Sequence, residues 1–311
     1  MSTYKKAIIA IIIASVLWAT AGIIAKTLLR SFDPFIITFI RAVIGSACML
    51  PFFLRQKRYP LKNTMTEVVP VALFSSLNFA FFYLGIQYTT VNASSVMYAS
   101  TPLLVMVIAA FTIHERITPR KFAGIIIGFI GVVSILLLPS IGKGDIGFGT
   151  LRGNLLLLVA VSGWSSYIVG SRYLVNVKRY PPMYITAISL FVSMIVLGAV
   201  NLFVPHHSDI RALLEPGNIL NFIYLGLFVT VVTYVLFQWA IQHLSSTTAS
   251  LTNYLQPIFA FYFAWIFLGE RITVTFLLGS LLVLLGVFIA TSQRATTYVR
   301  ELRERRQQHR K

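Results

Sequence analysis

Long apolar runs separated by short polar breaks form the dominant pattern along the chain. A helix that crosses a bilayer needs about 20 predominantly apolar residues. Ten segments meet this requirement, so the pattern predicts an all-α membrane protein with ten transmembrane helices. The predicted spans are Ala7–Leu29, Pro34–Leu54, Glu67–Tyr88, Ala93–Ile113, Phe122–Leu138, Leu151–Gly170, Met183–Val204, Ile219–Ile241, Thr248–Leu268 and Val274–Thr291.

The composition agrees with a bilayer as the solvent of this chain. Of the 311 residues, 57% are hydrophobic and 11% are charged, and the mean hydropathy is +0.80. An ordinary soluble domain carries about 25% charged residues. The chain therefore has more apolar surface than the core of one soluble protein can bury.

The net charge of +17 raises the alternative of nucleic-acid binding, but the basic residues lie in the short breaks and in the tail, residues 292–311. Cytoplasmic loops of membrane proteins are enriched in Lys and Arg. With the N-terminus inside, 19 of the 26 Lys and Arg residues fall in inner segments and six in outer loops. This distribution predicts a multi-pass protein of the plasma membrane with a basic cytoplasmic tail, both termini inside and no nucleic-acid partner.

An internal repeat is the strongest feature of the sequence. Residues 87–131 recur as residues 242–286 at a constant offset of 155 residues, without a gap. Weaker matches, such as Trp18-Ala19-Thr20 with Trp164-Ser165-Ser166, extend the repeat towards the N-terminus of each half.

Each repeat unit therefore holds five predicted helices, in residues 7–139 and 151–291. Because five is odd, the second unit is predicted to be inverted in the membrane relative to the first. Inverted repeats are typical of secondary transporters, whose substrate site lies near the midplane where the halves meet.

Several motifs within these units are similar to those of a known family. A Trp lies in the first helix, an Arg in the second and a Pro in the fourth, and the fragment Phe267-Leu268-Gly269-Glu270-Arg271 leads into a glycine-spaced last helix. In these features the chain resembles the EamA-like branch of the drug/metabolite transporter superfamily. The resemblance implies export or exchange of small metabolites, often amino acids.

Polar and aromatic residues recur on single faces of several spans, and many occupy equivalent positions in the two halves. Such residues are costly in a membrane and need partners or a water-filled cavity. We predict that they line a central substrate cavity; the alternative is that they hydrogen-bond between helices. The predicted substrate-binding residues are Trp18, Tyr83, Ser94, Tyr98, Thr101, Trp164, Tyr167, Gln238, Asn253 and Gln256.

Three further residues within spans have two interpretations each. Arg41 lies about 10 Å into the second span and either attracts an anionic group or extends to the interface and a helix end. Pro102 and Pro257 interrupt helical hydrogen bonding and predict kinks, which either serve gating or are static.

Other conspicuous residues are interpreted as structural. Glu115 and Glu270 are predicted to cap helices, and Gly124, Gly131 and Gly286 to permit close helix packing. No Asp or Glu lies in the middle of a predicted span. Carboxylate relays are usual in proton-driven transporters, so the sequence favours a facilitator or exchanger.

The sequence thus predicts a secondary transporter, an exporter or exchanger of small metabolites such as amino acids or amphipathic organic compounds. Its predicted partners are a small-molecule substrate and the lipid bilayer, with no cofactor and no metal. The alternative is a membrane-embedded enzyme or a non-transporting assembly factor. Against an enzyme, the motif His114-Glu115-Arg116-Ile117-Thr118 lacks the second histidine of a zinc protease.

Overall fold

The computed structural model describes residues 3–56, 59–112, 117–141, 149–204, 210–243 and 252–291. Within these residues the chain is helical and contains no strand. The helices are α1 (Thr3–Leu28), α2 (Pro34–Leu54), α3 (Leu61–Ile86), α4 (Val91–Ala99), α5 (Thr101–Thr112), α6 (Pro119–Ile141), α7 (Leu151–Asn176), α8 (Pro182–Phe203), α9 (Pro216–Ile223, Tyr224–Val232 and Thr233–His243 in continuity), α10 (Thr252–Leu268) and α11 (Val274–Thr291). Thr64–Val68 of α3 and Tyr224–Val232 of α9 are π-helical, and a 3₁₀ turn, Ile210–Leu214, precedes α9.

The predicted all-α class is confirmed for the described residues, whereas the number of spans is confirmed only in part. Seven described helices are long and apolar enough to cross a membrane, and α4 with α5 adds an eighth as a bent pair. The apolar parts described in α10 and α11, Leu255–Leu268 and Phe276–Thr291, are shorter than the 18 residues required of a candidate span. The start of the ninth predicted span and the basic tail lie outside the described residues.

Several helices are longer than the predicted spans. The third helix begins at Leu61 rather than Glu67, and the sixth span ends at Asn176 rather than Gly170. The added turns carry Lys62 and Arg172, whose charges can be solvated at the membrane surface. A count of apolar residues excludes such turns, although the helix continues through them.

The fourth predicted span is broken at Ser100, where α4 and α5 meet at an angle of 40°. Pro102 explains the break, since its ring removes a backbone donor and clashes with the carbonyl of Tyr98. That carbonyl instead accepts a hydrogen bond from the Thr101 hydroxyl at 2.6 Å. The kink predicted at Pro102 is therefore confirmed, while Pro257 lies inside a helix that continues from Thr252 to Leu268.

Two pairs of helices at equivalent positions of the repeats pack directly against each other. In α6 and α11, a Cβ on Gly124 would lie 2.6 Å from the carbonyl oxygen of Gly286, and one on Gly131 would lie 2.8 Å from that of Gly279. Residue numbers rise along one helix as they fall along the other, so the helices are antiparallel. The close packing predicted for these glycines is confirmed.

The pair α2 and α8 has the same geometry. A Cβ on Gly45 would lie 3.3 Å from Leu190, and one on Gly198 would lie 3.0 Å from Phe39. These helices are therefore antiparallel as well. Elsewhere, α3 packs against α7 and α8, and its equivalent α9 packs against α1 and α2.

Glu270 fixes the start of α4. Its two carboxylate oxygens accept hydrogen bonds from the backbone nitrogens of Val91 and Asn92, at 2.8 and 3.0 Å. A carboxylate at a helix N-terminus satisfies free backbone donors and complements the helix dipole. The capping role predicted for Glu270 is confirmed, whereas its repeat equivalent Glu115 lies outside the described residues.

Candidate functional site

A buried arginine of α2 lies between the two repeats. Arg41 is only 6% exposed, and its Nε donates a hydrogen bond of 2.6 Å to the hydroxyl of Thr230 in α9. Its Nη1 donates a long hydrogen bond of 3.4 Å to the hydroxyl of Tyr83 in α3. The guanidinium carbon lies 4.5 Å from the ring centroid of Phe79. Arg41 therefore faces the interior of the bundle instead of extending to a helix end.

The partner of this arginine belongs to the π-helical part of α9. The Thr230 hydroxyl donates to the carbonyl of Leu225, five residues earlier, at 2.7 Å while it accepts from Arg41. Wide turns of this kind leave backbone carbonyls outside the regular ladder and occur often at functional sites. The π-helical segment thus places a polar group against the guanidinium.

Tyr98 lies on the first-repeat side of the same region, in the last turn of α4 before the break. Its hydroxyl accepts a short hydrogen bond from the side-chain amide of Asn78, whose second N–H bonds to the carbonyl of Ala160 at 2.9 Å. Both amide hydrogens of Asn78 are then used. The phenol proton of Tyr98 is left to donate to another group, and Tyr98 also lies within electrostatic reach of Arg41.

Aromatic rings of α7 and α9 form a packed cluster beside these residues, within electrostatic reach of Arg41. Trp164 stacks on Tyr167 with centroids 5.4 Å apart and meets the edge of Tyr234 at 5.7 Å. The Tyr167 hydroxyl is buried and has no hydrogen-bond partner among the described residues. The neighbouring hydroxyls of Thr186 and Ser189 donate instead to carbonyls of their own helix.

The other predicted binding residues are less clearly placed in the site. Trp18 is half-buried, with its ring 5.3 Å from that of Phe237. Ser94 and Thr101 are buried, and their hydroxyls bond to carbonyls of their own chain three residues earlier, as serine and threonine commonly do in helices. Gln256 is half-buried in α10. The side chains of Gln238 and Asn253 lie outside what the structure describes.

Four residues at the site were not among the predicted ones, namely Asn78, Phe79, Thr230 and Tyr234. Asn78 carried an available signal, because an amide in the middle of an apolar run is costly without partners. Tyr234 aligns with Phe79 at the repeat offset of 155 residues. Thr230 carried no signal, since its contact with Arg41 depends on a π-helical turn that sequence periodicity does not predict.

A further polar contact joins the repeats at one end of the bundle. The Glu67 carboxylate accepts hydrogen bonds from Lys178 Nζ at 2.7 Å and from the Tyr180 hydroxyl at 3.0 Å. The hydrogen bond to Glu67 raises the pKa of Lys178, and burial together with this carboxylate raises the pKa of Tyr180 to about 12. Because both pKa values are raised, Lys178 and Tyr180 keep their protons at neutral pH, and the contact weakens as the pH rises through these values. Protonation of the Glu67 carboxylate in acid also removes the ion pair. It lies about 24 Å along α3 from Tyr83 and does not belong to the central site.

The central site combines one fixed positive charge with phenols, an indole and amide or hydroxyl groups. The described carboxylates, Asp33, Glu67, Glu215 and Glu270, lie at or near helix ends rather than at this site. Rings can hold an apolar part of a small molecule, while hydroxyl groups and the guanidinium bind a polar or anionic part.

Comparisons with known proteins identify a family and several relatives of the chain. A family model described as the EamA-like transporter family matches residues 5–137 and again residues 151–292. An uncharacterized transporter of Clostridium kluyveri is 28% identical and aligns over 92% of this chain and 93% of its own length. An S-adenosylmethionine/S-adenosylhomocysteine transporter of Chlamydia trachomatis is 26% identical over 85% of this chain and 82% of its own. A solved crystal structure of a protein with 19% identity aligns over 94% of this chain and 99% of its own with a TM-score of 0.62, which shows a shared fold.

The family model covers both predicted repeats, and the names of the relatives indicate transport rather than enzymatic catalysis. The apolar helices agree with a protein that crosses the membrane several times. The chain therefore belongs to the EamA-like transporter family and is a multi-pass membrane transporter built from two copies of the family repeat.

Proposed function

We propose that the protein is a ten-helix secondary transporter that exports or exchanges a small polar or amphipathic metabolite across the plasma membrane. In this proposal α4 and α5 form one broken span, and α10 and α11 complete the ten. The two five-helix units, residues 7–139 and 151–291, are inverted relative to each other, and both termini lie in the cytoplasm. The substrate binds in a central cavity between the units.

The antiparallel pairs α2 with α8 and α6 with α11 support the inversion. Each pair joins equivalent helices of the two repeats, and equivalent helices run in opposite directions only if one repeat is turned over. This symmetry lets the two halves rock around a fixed midplane site, as in many secondary transporters.

One observation carries the proposal. Buried aromatic and polar side chains from both repeats converge around Arg41, which bonds to Thr230 of the second repeat and to Tyr83 of the first. Polar groups are rare in the middle of membrane helices and mark substrate pathways there. The Chlamydia relative is named as a transporter of S-adenosylmethionine and S-adenosylhomocysteine. These two small metabolites belong to the proposed substrate class.

Transport by purified protein in liposomes tests the proposal. A panel of radiolabelled amino acids, nucleobases and amphipathic organic compounds, including S-adenosylmethionine, is offered to the full-length chain. We expect saturable flux of at least one class, which empty liposomes lack. Absence of flux for the whole panel contradicts a transport role for compounds of this kind.

The site itself is tested by Tyr98→Phe and Asn253→Ala. Each change removes one hydrogen-bonding group from the proposed cavity, so we expect substrate affinity to fall by about five- to 150-fold, equivalent to about 1–3 kcal/mol. Thr112→Ala is the matched control, since Thr112 is exposed and its hydroxyl bonds to the carbonyl of Ile108 in its own helix. Normal affinity in both site variants, with only a lower melting temperature, indicates that these residues serve packing.

A further inference from the structure

The charge of Arg41 has no counterion at the central site. Among the described residues no carboxylate lies near the guanidinium, whose neighbours are the hydroxyl of Thr230 and the rings of Phe79 and Tyr83. Phenols and hydroxyls are neutral at physiological pH. A buried charge is costly unless it is paired, so the site is suited to receive a negative charge from outside the protein.

The guanidinium also has hydrogen-bonding capacity to spare. Arginine presents five N–H donors in a planar fork. Two of them, on Nε and Nη1, bond to Thr230 and Tyr83. The remaining three have no acceptor among the described residues. A carboxylate is the group that such a fork binds in a bidentate manner.

Only the first repeat has a positively charged residue at the position of Arg41. The entry to α2, Asp33-Pro34, corresponds to Pro181-Pro182 at the entry to α8, and this alignment places Ser189 at the position of Arg41. Ser189 is buried, and its hydroxyl bonds to the carbonyl of Ile185 in its own helix. A structural role common to both halves does not explain a charge that one half lacks.

We propose that the substrate carries a carboxylate, that Arg41 binds this carboxylate, and that the apolar part of the substrate lies among the rings of Phe79, Tyr83 and Tyr234. This inference rests on the proposed transport function and narrows its substrate class. Amino acids and amphipathic organic acids fit the site. Amines and amides of the same shape lack the anionic group, and the fixed charge also repels cations.

Matched pairs of compounds test this assignment in the same liposomes. Leucine, methionine, phenylalanine and tryptophan are compared with their carboxamides and with the corresponding decarboxylated amines, and nucleobases serve as carboxylate-free compounds. A hydrogen-bonded charge pair predicts that a transported acid competes about 10- to 150-fold better than its amide. Equal competition by acid and amide, or transport of carboxylate-free compounds alone, overturns the carboxylate assignment and leaves the transport function standing. Absence of all flux contradicts the transport function itself.

Variants of Arg41 show whether the preference comes from this residue. In Arg41→Gln we expect the acid and its amide to compete equally, whereas Arg41→Lys retains the charge without the planar fork and keeps part of the preference. Thr230→Val and Tyr83→Phe remove the described partners of Arg41 but not its charge, and we expect them to keep the preference for the acid. Melting temperature and gel-filtration profile establish that each variant is folded. If Arg41→Gln does not fold, the acid and its amide are compared in Arg41→Lys instead. A preference for the acid equal to that of the wild type, in whichever folded variant is used, contradicts the role of Arg41.

Discussion

Arg179 has a left-handed backbone, with φ of 62°, in the turn between α7 and α8. An L-residue in this conformation crowds its Cβ against the next carbonyl, at a cost of about 1–2 kcal/mol. The turn places its neighbours Lys178 and Tyr180 against Glu67. Local strain at Arg179 thus accompanies a contact that joins the two repeats.

We predict that Arg179→Gly stabilises the protein. Glycine adopts positive φ without the Cβ penalty but loses more chain entropy on folding, so the net gain is at most about 1 kcal/mol. Melting of the purified protein in detergent measures it. Arg179→Ala is the control, because it removes the same exposed charge and keeps the Cβ. A gain in the alanine variant equal to that in the glycine variant assigns the effect to charge rather than to backbone strain.

At the residue scale, the sequence indicated which polar residues lie within spans but not what they contact. Arg41 was identified as a candidate anion contact from its position, yet its burial and its bond to Thr230 depend on packing between distant helices. Ser94 and Thr101 are buried in the fourth span, but their hydroxyls bond to carbonyls of their own backbone, and their role in substrate binding stays a prediction. Side-chain direction is set by tertiary contacts, which helical spacing alone does not determine.

At the scale of helices, hydropathy located the apolar segments but not their irregular turns. The break at Ser100 follows from Pro102, a residue with a known backbone effect, and was predictable as a kink. The π-helical segment Tyr224–Val232 has no comparable signal, because its sequence is a plain apolar run. Pro257 lies inside a helix without a break, so the kink predicted there stays a prediction.

The glycines between α6 and α11 lead to a prediction on helix packing. A Cβ on Gly286 would lie 2.3 Å from the backbone nitrogen of Gly128, and backbone cannot move aside as a flexible side chain does. We expect Gly286→Ala to push the helices apart and to lower stability by about 1–3 kcal/mol or more.

The matched control for this change is Gly217→Ala. A Cβ on Gly217, near the start of α9, would meet nothing within 4 Å. We expect its melting temperature to stay near that of the wild type, since exposed substitutions usually change stability by less than about 0.5 kcal/mol. If the two variants melt alike, α6 and α11 are not packed as closely as the structure places them.

At the scale of the whole molecule, the repeat relates helix pairs that are far apart in sequence. The packing of α3 against α7 and α8 recurs in the packing of α9 against α1 and α2. This arrangement follows from the 155-residue repeat together with the odd number of predicted helices in each unit. The departures from symmetry, such as Arg41 against Ser189 and the break at Ser100, are where the two halves have acquired different chemistry.

The two repeats are predicted to have opposite orientations in the membrane. Arg120 lies in the first turn of α6, and Arg271 lies three residues before α11. Because α6 and α11 are antiparallel, the two residues lie at opposite ends of the helix pair. With 23 residues, α6 is about 34 Å long, enough to cross a hydrocarbon core of about 30 Å.

Arg120→Cys and Arg271→Cys, each in a Cys48→Ala background that removes the natural thiol, locate these ends. The excess of Lys and Arg in the predicted inner loops places Arg120 in the cytoplasm and Arg271 outside. In intact cells we expect a membrane-impermeant maleimide to label Arg271→Cys at once and Arg120→Cys only after permeabilisation. The opposite labelling pattern would show that the whole protein has the reverse orientation in the membrane, with the two repeats still inverted relative to each other. Labelling of both cysteines from the same side is incompatible with an inverted repeat, since antiparallel helices that both cross the membrane cannot begin on one face.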